Sequence, residues 1–332
     1  MTDAGDASTA APLALITGIR GQDGWYLAQR LLGLGHRVVG TTHDAAHAGA
    51  IAIGGRDVPV IAVDLGDTEA VEAAIRDQAP DEVYNFAARA SSAQLFDDPV
   101  ATAEINGVAV ARLLEAIRRH RPGARFCQAS SSEIFAGAEV SPQNEATPRQ
   151  PINAYGAAKA FADHVVAAYR KSFGLFACSA ILYPHESPRR PVHFLVRKVA
   201  RAAARVAAGL DDAITLGDLG AVRDWGYAPD TVEAMRQMLQ QRAPRDYVIA
   251  TGEPHTVRDV CEAAFGHVGL DWRRHVAVDD RLVRAPDDVI RLGDPARARA
   301  ELNWAPSLTF RELIGHIVDC DRRLLAPPRS AD

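Results

Sequence analysis

Short apolar runs alternate with longer amphipathic stretches through the first 180 or so residues. "LALIT" (13–17) is apolar until its last residue and leads directly into glycines, the pattern of a strand buried on both faces. "GWYLAQRLLGLG" (24–35) then sets Tyr26, Leu27, Leu31 and Leu34 at helical spacing, with Gly35 as a stop. The rhythm continues with strands at "HRVVGTTH" (36–43), "PVIAVDL" (59–65), "EVYNFAA" (82–88), "ARFCQASSSEIF" (124–135) and "LFACSAILY" (175–183). Helices are expected between them at 71–78, 101–120 and 153–174. Alternation of this kind predicts an α/β fold built on a doubly wound parallel sheet.

Beyond residue 182 the alternation breaks. A Pro/Arg-rich loop, "PHESPRRP" (184–191), precedes a helix at 193–209, then "AITLGD", "RDWGYAPDTVEAMRQMLQQ" and an apolar run "YVIATG" (247–252) suited to rejoining the sheet. The reading is a first domain over 12–182 plus the strand near 247–251. A smaller mixed α/β lobe takes 183–246 and 252–325, and residues 1–11 form a disordered tail. Composition adds only exclusions. A net charge of −5 argues against a nucleic-acid partner. Cys127, Cys178, Cys261 and Cys320 are far apart with no C-x-x-C, so reduced thiols are expected and no metal site. The N-terminus lacks an apolar signal core and no apolar run of about 18 residues follows, so a cytoplasmic, membrane-free protein is expected.

Candidate chemistry begins where the first strand ends. Gly18, Gly21 and Gly24 form G-x-x-G-x-x-G between a strand and a helix. The first glycine permits the tight turn, and the others let backbone N–H groups approach a pyrophosphate at the positive helix end. This is the mark of a Rossmann-type dinucleotide-binding domain. "VDL" supplies Asp64 and Leu65 to frame the adenine. No acidic residue closes the second strand, where Thr41, Thr42 and His43 stand and Asp44 comes late. Arg20 is instead placed to grip a ribose 2′-phosphate with its planar fork, which favours NADP over NAD. The bland alternative for Arg20 is an exposed turn residue.

"YGAAK" sets Tyr155 and Lys159 one helical turn apart on one face. An ammonium beside a phenol favours the phenolate and lowers its pKa, as an acid/base requires. The strand before it ends in "SSSE"; if extended, it points Ser131 and Glu133 to one face at the carboxyl edge of the sheet, where open α/β sheets bind ligands. Read blandly, these serines make a turn and Glu133 caps a helix.

These residues resemble the extended short-chain dehydrogenase/reductase family, and within it the GDP-mannose 4,6-dehydratase branch. "ALITGIRGQDGWYL", "QASSSEIF", "NAYGAAK", "ILYPHESPRRP", "RDWGYAPDTVEAM", "VIATGEPHTVRD" and "LNW-P" carry the resemblance, in order, from about residue 12 to 325. It implies catalytic roles for Ser131 (usually threonine), Glu133, Tyr155 and Lys159. Tyr155 would take the C4 hydroxyl proton as hydride leaves C4, Glu133 would take the C5 proton and help expel the C6 hydroxyl, and hydride would return to C6. It implies a tightly bound, recycled NADP (alternative NAD) held by Gly18, Arg20, Gly21, Gln22, Asp23, Gly24, Thr42, Asp64, Leu65, Ala87, Tyr155 and Lys159. For the sugar nucleotide it implies Arg89, Ser91, His185, Glu186, Leu195, Lys198, Arg223, Arg284 and Asp287, the last where glutamate is usual.

Departures from the family surround the phosphates. Pro184 replaces an asparagine, Pro191 a glycine, and Arg89 a neutral glutamine. The arginine pair after the second strand is missing, and "TTHDAAHAGAIAIGGRDVP" replaces a longer segment. The substrate expected is therefore GDP-mannose or a related GDP-sugar such as a GDP-heptose. An epimerase, 4-keto reductase or 5,6-dehydratase on the same fold is the alternative, and a non-catalytic dinucleotide-binding protein the next. A homodimer through the helices at 107–120 and 161–171 is expected, with a tetramer as the larger assembly.

Overall fold

The computed structural model describes residues 11–89, 98–283 and 289–325. β1 (Leu13–Thr17) is buried at every position and begins an eight-stranded sheet. The other strands are β2 (Arg37–Thr42), β3 (Gly49–Ile53), β4 (Arg56–Ala62), β5 (Glu82–Asn85), β6 (Arg125–Ala129) and β7 (Ala177–Leu182), with a strand from much later in the chain at the far edge. The chain builds outward from β1 through β2 to β4, then crosses back to place β5 on the other side of β1. The carboxyl ends of β1 and β5 therefore flank the point where the winding reverses, the crevice in which such sheets hold ligands.

The helices cover both faces. α1 (Gln22–Gly33) packs Leu27 and Leu31 on one side. α2 (Thr68–Gln78), α4 (Ala109–His120) and α5 (Ala154–Phe173) cover the other, where Val71, Ile75, Leu113, Leu114, Ile117 and Val166 bury against Leu13, Leu15, Val83 and Phe126, and the short α3 (Pro99–Ala103) packs on α5. The helix expected as one piece over 101–120 is interrupted by a turn of π-helix at Glu104–Val108, between α3 and α4.

The replacement segment after β2 is a β-hairpin. β3 runs antiparallel to β4, joined at Gly54 and Gly55, both at positive φ. Two left-handed residues match the right-handed twist of a tight hairpin. Ile53, Val58 and Val60 are buried in the core cluster that contains Leu27 and Leu31. The strand expected at 59–65 thus begins earlier and ends at Ala62, and its antiparallel neighbour was not anticipated.

Past β7 the chain forms short pairings. β8 (His185–Glu186) pairs with β11 (Gly226–Tyr227), and β10 (Val222–Asp224) with β13 (Pro254–Thr256). β9 (Ile214–Leu216) pairs with β14 (Val276–Val278). α6 (Leu195–Ala207), α8 (Val257–His267) and α10 (Phe310–Leu325) bury Val196, Val199, Val260, Phe265, Leu313, Ile314 and Ile317 in a separate apolar cluster. A buried ion pair between Arg197 and Asp321 joins α6 to α10. α7 (Ala228–Leu239) packs against α1, and β12 (Tyr247–Ile249) pairs parallel with β7, the return expected near 247–251. α9 (Ala296–Leu302) packs beside β12. Among the described residues no helix is long and apolar enough to cross a membrane.

Candidate active site

The floor of the crevice is a buried polar ladder. Thr17, Asn85 and Gln128 are register partners at the ends of β1, β5 and β6. Thr17 Oγ1 donates to Asn85 Oδ1, and Asn85 Nδ2 donates to Gln128 Oε1 at 2.7 Å. Ala87 N–H donates to Thr17 Oγ1 at 3.1 Å, fixing the start of the loop after β5. Three polar residues buried among apolar strands are tolerated because each finds partners in the ladder.

The glycines above this floor have distinct jobs. Gly18 has φ +68°, and a Cβ there would lie 3.0 Å from Ala87 N. At Gly24 a Cβ would fall 2.6 Å from Gly18 O and 2.7 Å from Ile19 Cα, so this glycine lets α1 pack onto the turn. Gly21 caps α1 without any side-chain hydrogen bond to its first turn. A helix start with backbone donors uncovered by side chains, behind a turn too tight for Cβ atoms, fits a dinucleotide diphosphate. Arg20 Nη2 donates to His47 O at 2.7 Å, in the turn after β2. Thr42 Oγ1, at the end of β2, accepts from Asp44 N–H at 3.3 Å, and Asp44 Oδ2 lies 2.9 Å from His47 Nδ1. Asp64 is exposed, accepting from Gly66 N–H, whereas Leu65 is buried.

Gln22 and Asp23 turn away from the glycines and grip the loop after β7. Ser187 Oγ donates to Gln22 Oε1 at 2.6 Å, and Gln22 Nε2 donates to His185 O at 3.2 Å. His185 Nε2 lies 3.0 Å from Asp23 Oδ2, and its Nδ1 lies 2.7 Å from Tyr183 O. Both ring nitrogens of His185 are therefore engaged by the protein itself. Burial works against the imidazolium, but the charge and hydrogen bond of Asp23 outweigh it and raise the pKa of His185. Glu186 is buried beside Arg190, 3.5 Å away, and burial raises its pKa. Arg189 lies over the ring of Trp25, 4.2 Å from its centroid. Two stretches of the sequence that carry the family resemblance, "GQDG" and "HESPRR", thus bind each other.

At the end of β6 the chain does not continue extended to Phe135. Ser131 starts a 3₁₀ turn over Ser132–Phe135, its Oγ accepting from Glu133 N–H at 3.2 Å. The orientation of Ser131 and Glu133 comes from this turn and not from strand alternation. Asn153 opens α5, accepting from Gly156 N–H at 2.7 Å and donating through Nδ2 to Glu133 Oε2 at 2.9 Å. At Gly156 a Cβ would stand 2.6 Å from Glu133 O. The missing side chain lets the first turn of α5 press onto the Glu133 turn and brings Tyr155 to it. Arg291 completes the group, its Nη1 meeting Glu133 Oε1 in an ion pair.

Lys159 is buried and donates through Nζ to Ala129 O at 2.7 Å; that nitrogen lies 5.8 Å from the centre of the Tyr155 ring. Burial pushes Lys159 down to about 8, with Asp163 opposing. Burial pushes Asp163 up to about 6, against its hydrogen bond from Ser130 Oγ (2.8 Å) and the Arg149 guanidinium, 3.7 Å away. Tyr155 departs from the sequence expectation of a lowered pKa. Burial pushes it up to about 12, with the Glu133 charge adding to the rise and the Ser131 hydroxyl pulling the other way. Lys159 is turned to the Ala129 carbonyl, and desolvation of the phenol dominates.

The expected substrate contacts are spread more widely. Arg89 is exposed, its guanidinium 3.8 Å from Asp98; its backbone is clamped by Asn106, which accepts from Arg89 N–H at 2.8 Å and donates to Arg89 O at 3.1 Å. Asn106 is buried in the π-helical turn, a feature often found at functional sites. Leu195 begins α6, and Lys198 Nζ donates to Thr215 O at 2.8 Å. Arg223, in β10, donates to Val222 O at 2.7 Å. Pro184 O accepts from Gly226 N–H at 2.8 Å, so this residue serves the β8–β11 pairing through its backbone. Ser91, Arg284 and Asp287 lie outside the described residues. Among the described residues no group of three His, Cys, Asp or Glu side chains is set to hold a metal ion.

The chain is similar to known proteins over most of its length. GDP-mannose 4,6 dehydratase 1 of Arabidopsis thaliana is 40% identical over 337 residues, covering 96% of this chain and 93% of that protein. The Thermus thermophilus UDP-glucose 4-epimerase, solved in complex with NAD, superposes with a TM-score of 0.78 at 32% identity, covering 93% of this chain and 99% of that one. RMD from Pseudomonas aeruginosa, solved with NADPH, gives 0.79 at 21% identity over 95% and 100%, a likeness of fold alone. Both of these neighbours were solved with a nicotinamide dinucleotide, NAD in one and NADPH in the other. With the family model described as GDP-mannose 4,6 dehydratase matching residues 15–317, the chain belongs to the GDP-mannose 4,6-dehydratase family.

Proposed function

We propose that the protein is a sugar-nucleotide 4,6-dehydratase that converts GDP-mannose, or a close GDP-sugar, to the 4-keto-6-deoxy product. The observation that carries this reading is the placing of Glu133 beside Tyr155. A simple alcohol oxidation needs the phenol and the lysine, whereas an elimination gives a second, carboxylate base at C5 its work. When bound, the nicotinamide accepts the hydride that leaves C4 and gives one back to C6. Tyr155 takes the C4 hydroxyl proton while Ser131 hydrogen-bonds the same oxygen. Lys159 holds the nicotinamide ribose and places positive charge near the phenol. The C4 ketone acidifies the C5–H bond, Glu133 takes that proton, and the C6 hydroxyl leaves with a proton as water. A proton then returns to C5 as C6 is reduced, leaving the cofactor in its starting state.

Arg20 supports NADP in preference to NAD, since its guanidinium reaches His47 O in the turn after β2, near where a ribose 2′-phosphate would lie. Residues 183–246 and 252–325 act as the substrate lobe, with Leu195, Lys198 and Arg223 facing the nucleotide. A homodimer through α4 and α5 is supported by Phe161 and Phe173, both about half exposed on α5. Cys127 and Cys178 are register partners on neighbouring strands and are free thiols, in keeping with a reducing cytoplasm. The test is a panel of GDP-, UDP-, CDP- and dTDP-sugars with product masses measured. A GDP-sugar that loses one water without net consumption of cofactor supports the reading. A product of unchanged mass points to an epimerase, and stoichiometric loss of reduced cofactor to a reductase.

A further inference from the structure

We infer that Arg291 is a positioning residue for the elimination half of the reaction, holding the Glu133 carboxylate where it meets the C5–H bond. The inference rests on the dehydratase reading above. Arg291 Nη1 engages Glu133 Oε1, while Asn153 Nδ2 donates to Oε2. An ionised carboxylate offers about four lone-pair sites, so roughly two stay open toward substrate while the group is fixed at both oxygens.

The backbone that carries Arg291 is itself pinned. Gln143 N–H donates to Leu292 O at 2.8 Å, Asp294 N–H donates to Gln143 O at 2.8 Å, and Gln143 Nε2 donates to Ile290 O at 3.1 Å. Tyr183 OH secures Gln143 in turn, donating to its Oε1 at 2.7 Å. Gly293 sits so close to the sheet that a Cβ there would lie 2.3 Å from Ala250 Cβ. These ties run to the strap around Gln143 and to Tyr183 and Ala250, none of them to Glu133, so they fix the backbone that carries Arg291 independently of the carboxylate. The Arg291 side chain is 11% exposed against 23% for Glu133, so the cation is the more enclosed partner and the base keeps its opening.

C4 oxidation uses Tyr155 and Lys159, whereas Arg291 acts through Glu133. Loss of Arg291 must therefore slow the steps after oxidation. The experiment is a single turnover of GDP-mannose with stoichiometric oxidised cofactor, comparing wild type, Arg291→Leu and Arg291→Lys. Reduced nicotinamide is followed by its near-ultraviolet absorbance and dehydrated product by mass; circular dichroism melts establish that each variant is folded. The Leu variant is expected to build up reduced nicotinamide, with product formation slowed about 100-fold and KM little changed. The Lys variant, which keeps the charge, is expected to recover part of the rate.

A folded Leu variant that matches wild type, or that loses oxidation and elimination together without build-up, overturns the inference. If the Leu variant does not fold, the Lys variant decides. Build-up between oxidation and elimination supports the role, and wild-type behaviour refutes it. Wild type that yields no dehydrated product refutes the dehydratase reading itself, whereas wild type that dehydrates beside a variant without build-up refutes only the role of Arg291.

Discussion

His185 Nε2 and Asp23 Oδ2 meet at 3.0 Å across 162 residues of chain, joining the first turn of α1 to the strand after β7. Asp23 is pulled below the usual carboxylate range: burial works against its charge, but the charge and hydrogen bond of His185 win. The His185 shift is upward, so its contribution to stability is complete below the unfolded histidine pKa and fades as pH rises through the folded value. The Asp23 shift is downward, so its contribution is complete above the unfolded aspartate pKa and fades as pH falls through the folded value. The pair therefore stabilises most between about pH 4 and about pH 6.5. His185→Gln is expected to cost about 1.5–3 kcal/mol there and less as pH rises through the folded His185 value, read from denaturant midpoints at several pH values. A difference between wild type and variant that does not change with pH contradicts the ion pair.

Gly24→Ala should be severe for its size. The added methyl carbon would fall 2.6 Å from Gly18 O and 2.7 Å from Ile19 Cα, both main-chain atoms that no rotamer change can clear. About 1–3 kcal/mol of stability and most cofactor affinity should be lost. Gly35→Ala makes a control, since its Cβ would meet nothing within 4 Å and only its φ of +84° is strained. Thermal melts and cofactor titration compare the two; equal cofactor affinity in both variants would contradict the close approach at Gly24.

Asp163→Asn tests the charge environment of Lys159. Asp163 is the buried anion that opposes desolvation of the lysine, which sits at about 8. Without it the pKa of Lys159 should fall further, and the ammonium should be lost at lower pH. The basic limb of the kcat/KM profile is expected to move down by about one pH unit. An unmoved limb would mean that Lys159 is not the group titrating there.

Arg20→Leu should discriminate the two dinucleotides. Removing a charged fork from a phosphate costs about 1.5–3 kcal/mol, so NADP affinity should drop at least about tenfold while NAD affinity barely changes. Isothermal titration with both cofactors reads this directly. Equal losses for both would leave Arg20 as a turn residue bound to His47 O.

The parallel sheet was legible because its strands are short, apolar and bounded by glycines and helical periods. The β3–β4 hairpin has a signal as well, "AIAIGGRDVPVIA", in which a Gly-Gly pair stands between two β-branched, largely apolar runs. Set against a longer family counterpart, the segment reads only as a shortening, which hides the Gly-Gly turn. Tyr155, Lys159, Ser131 and Glu133 could be read because they sit in contiguous motifs. Arg291 could not: it meets Glu133 across 158 residues, a pairing that only the folded chain creates. Asn153 and Gly156 had a local signal, a cap residue three positions before a glycine at a helix start. The upward pKa of Tyr155 depends on burial, which spacing along a helix does not report.

The central claim, that Glu133 takes a proton from C5 of a sugar nucleotide, is tested most directly by turnover of GDP-mannose in D2O with wild type and Glu133→Gln. Wild type should give a product one water lighter, carrying deuterium at C5, with the cofactor returned to its starting state. The Gln variant should form that product about 100- to 10,000-fold more slowly. Unlabelled C5 in the wild-type product, or a Gln variant that dehydrates at the wild-type rate, would contradict the account.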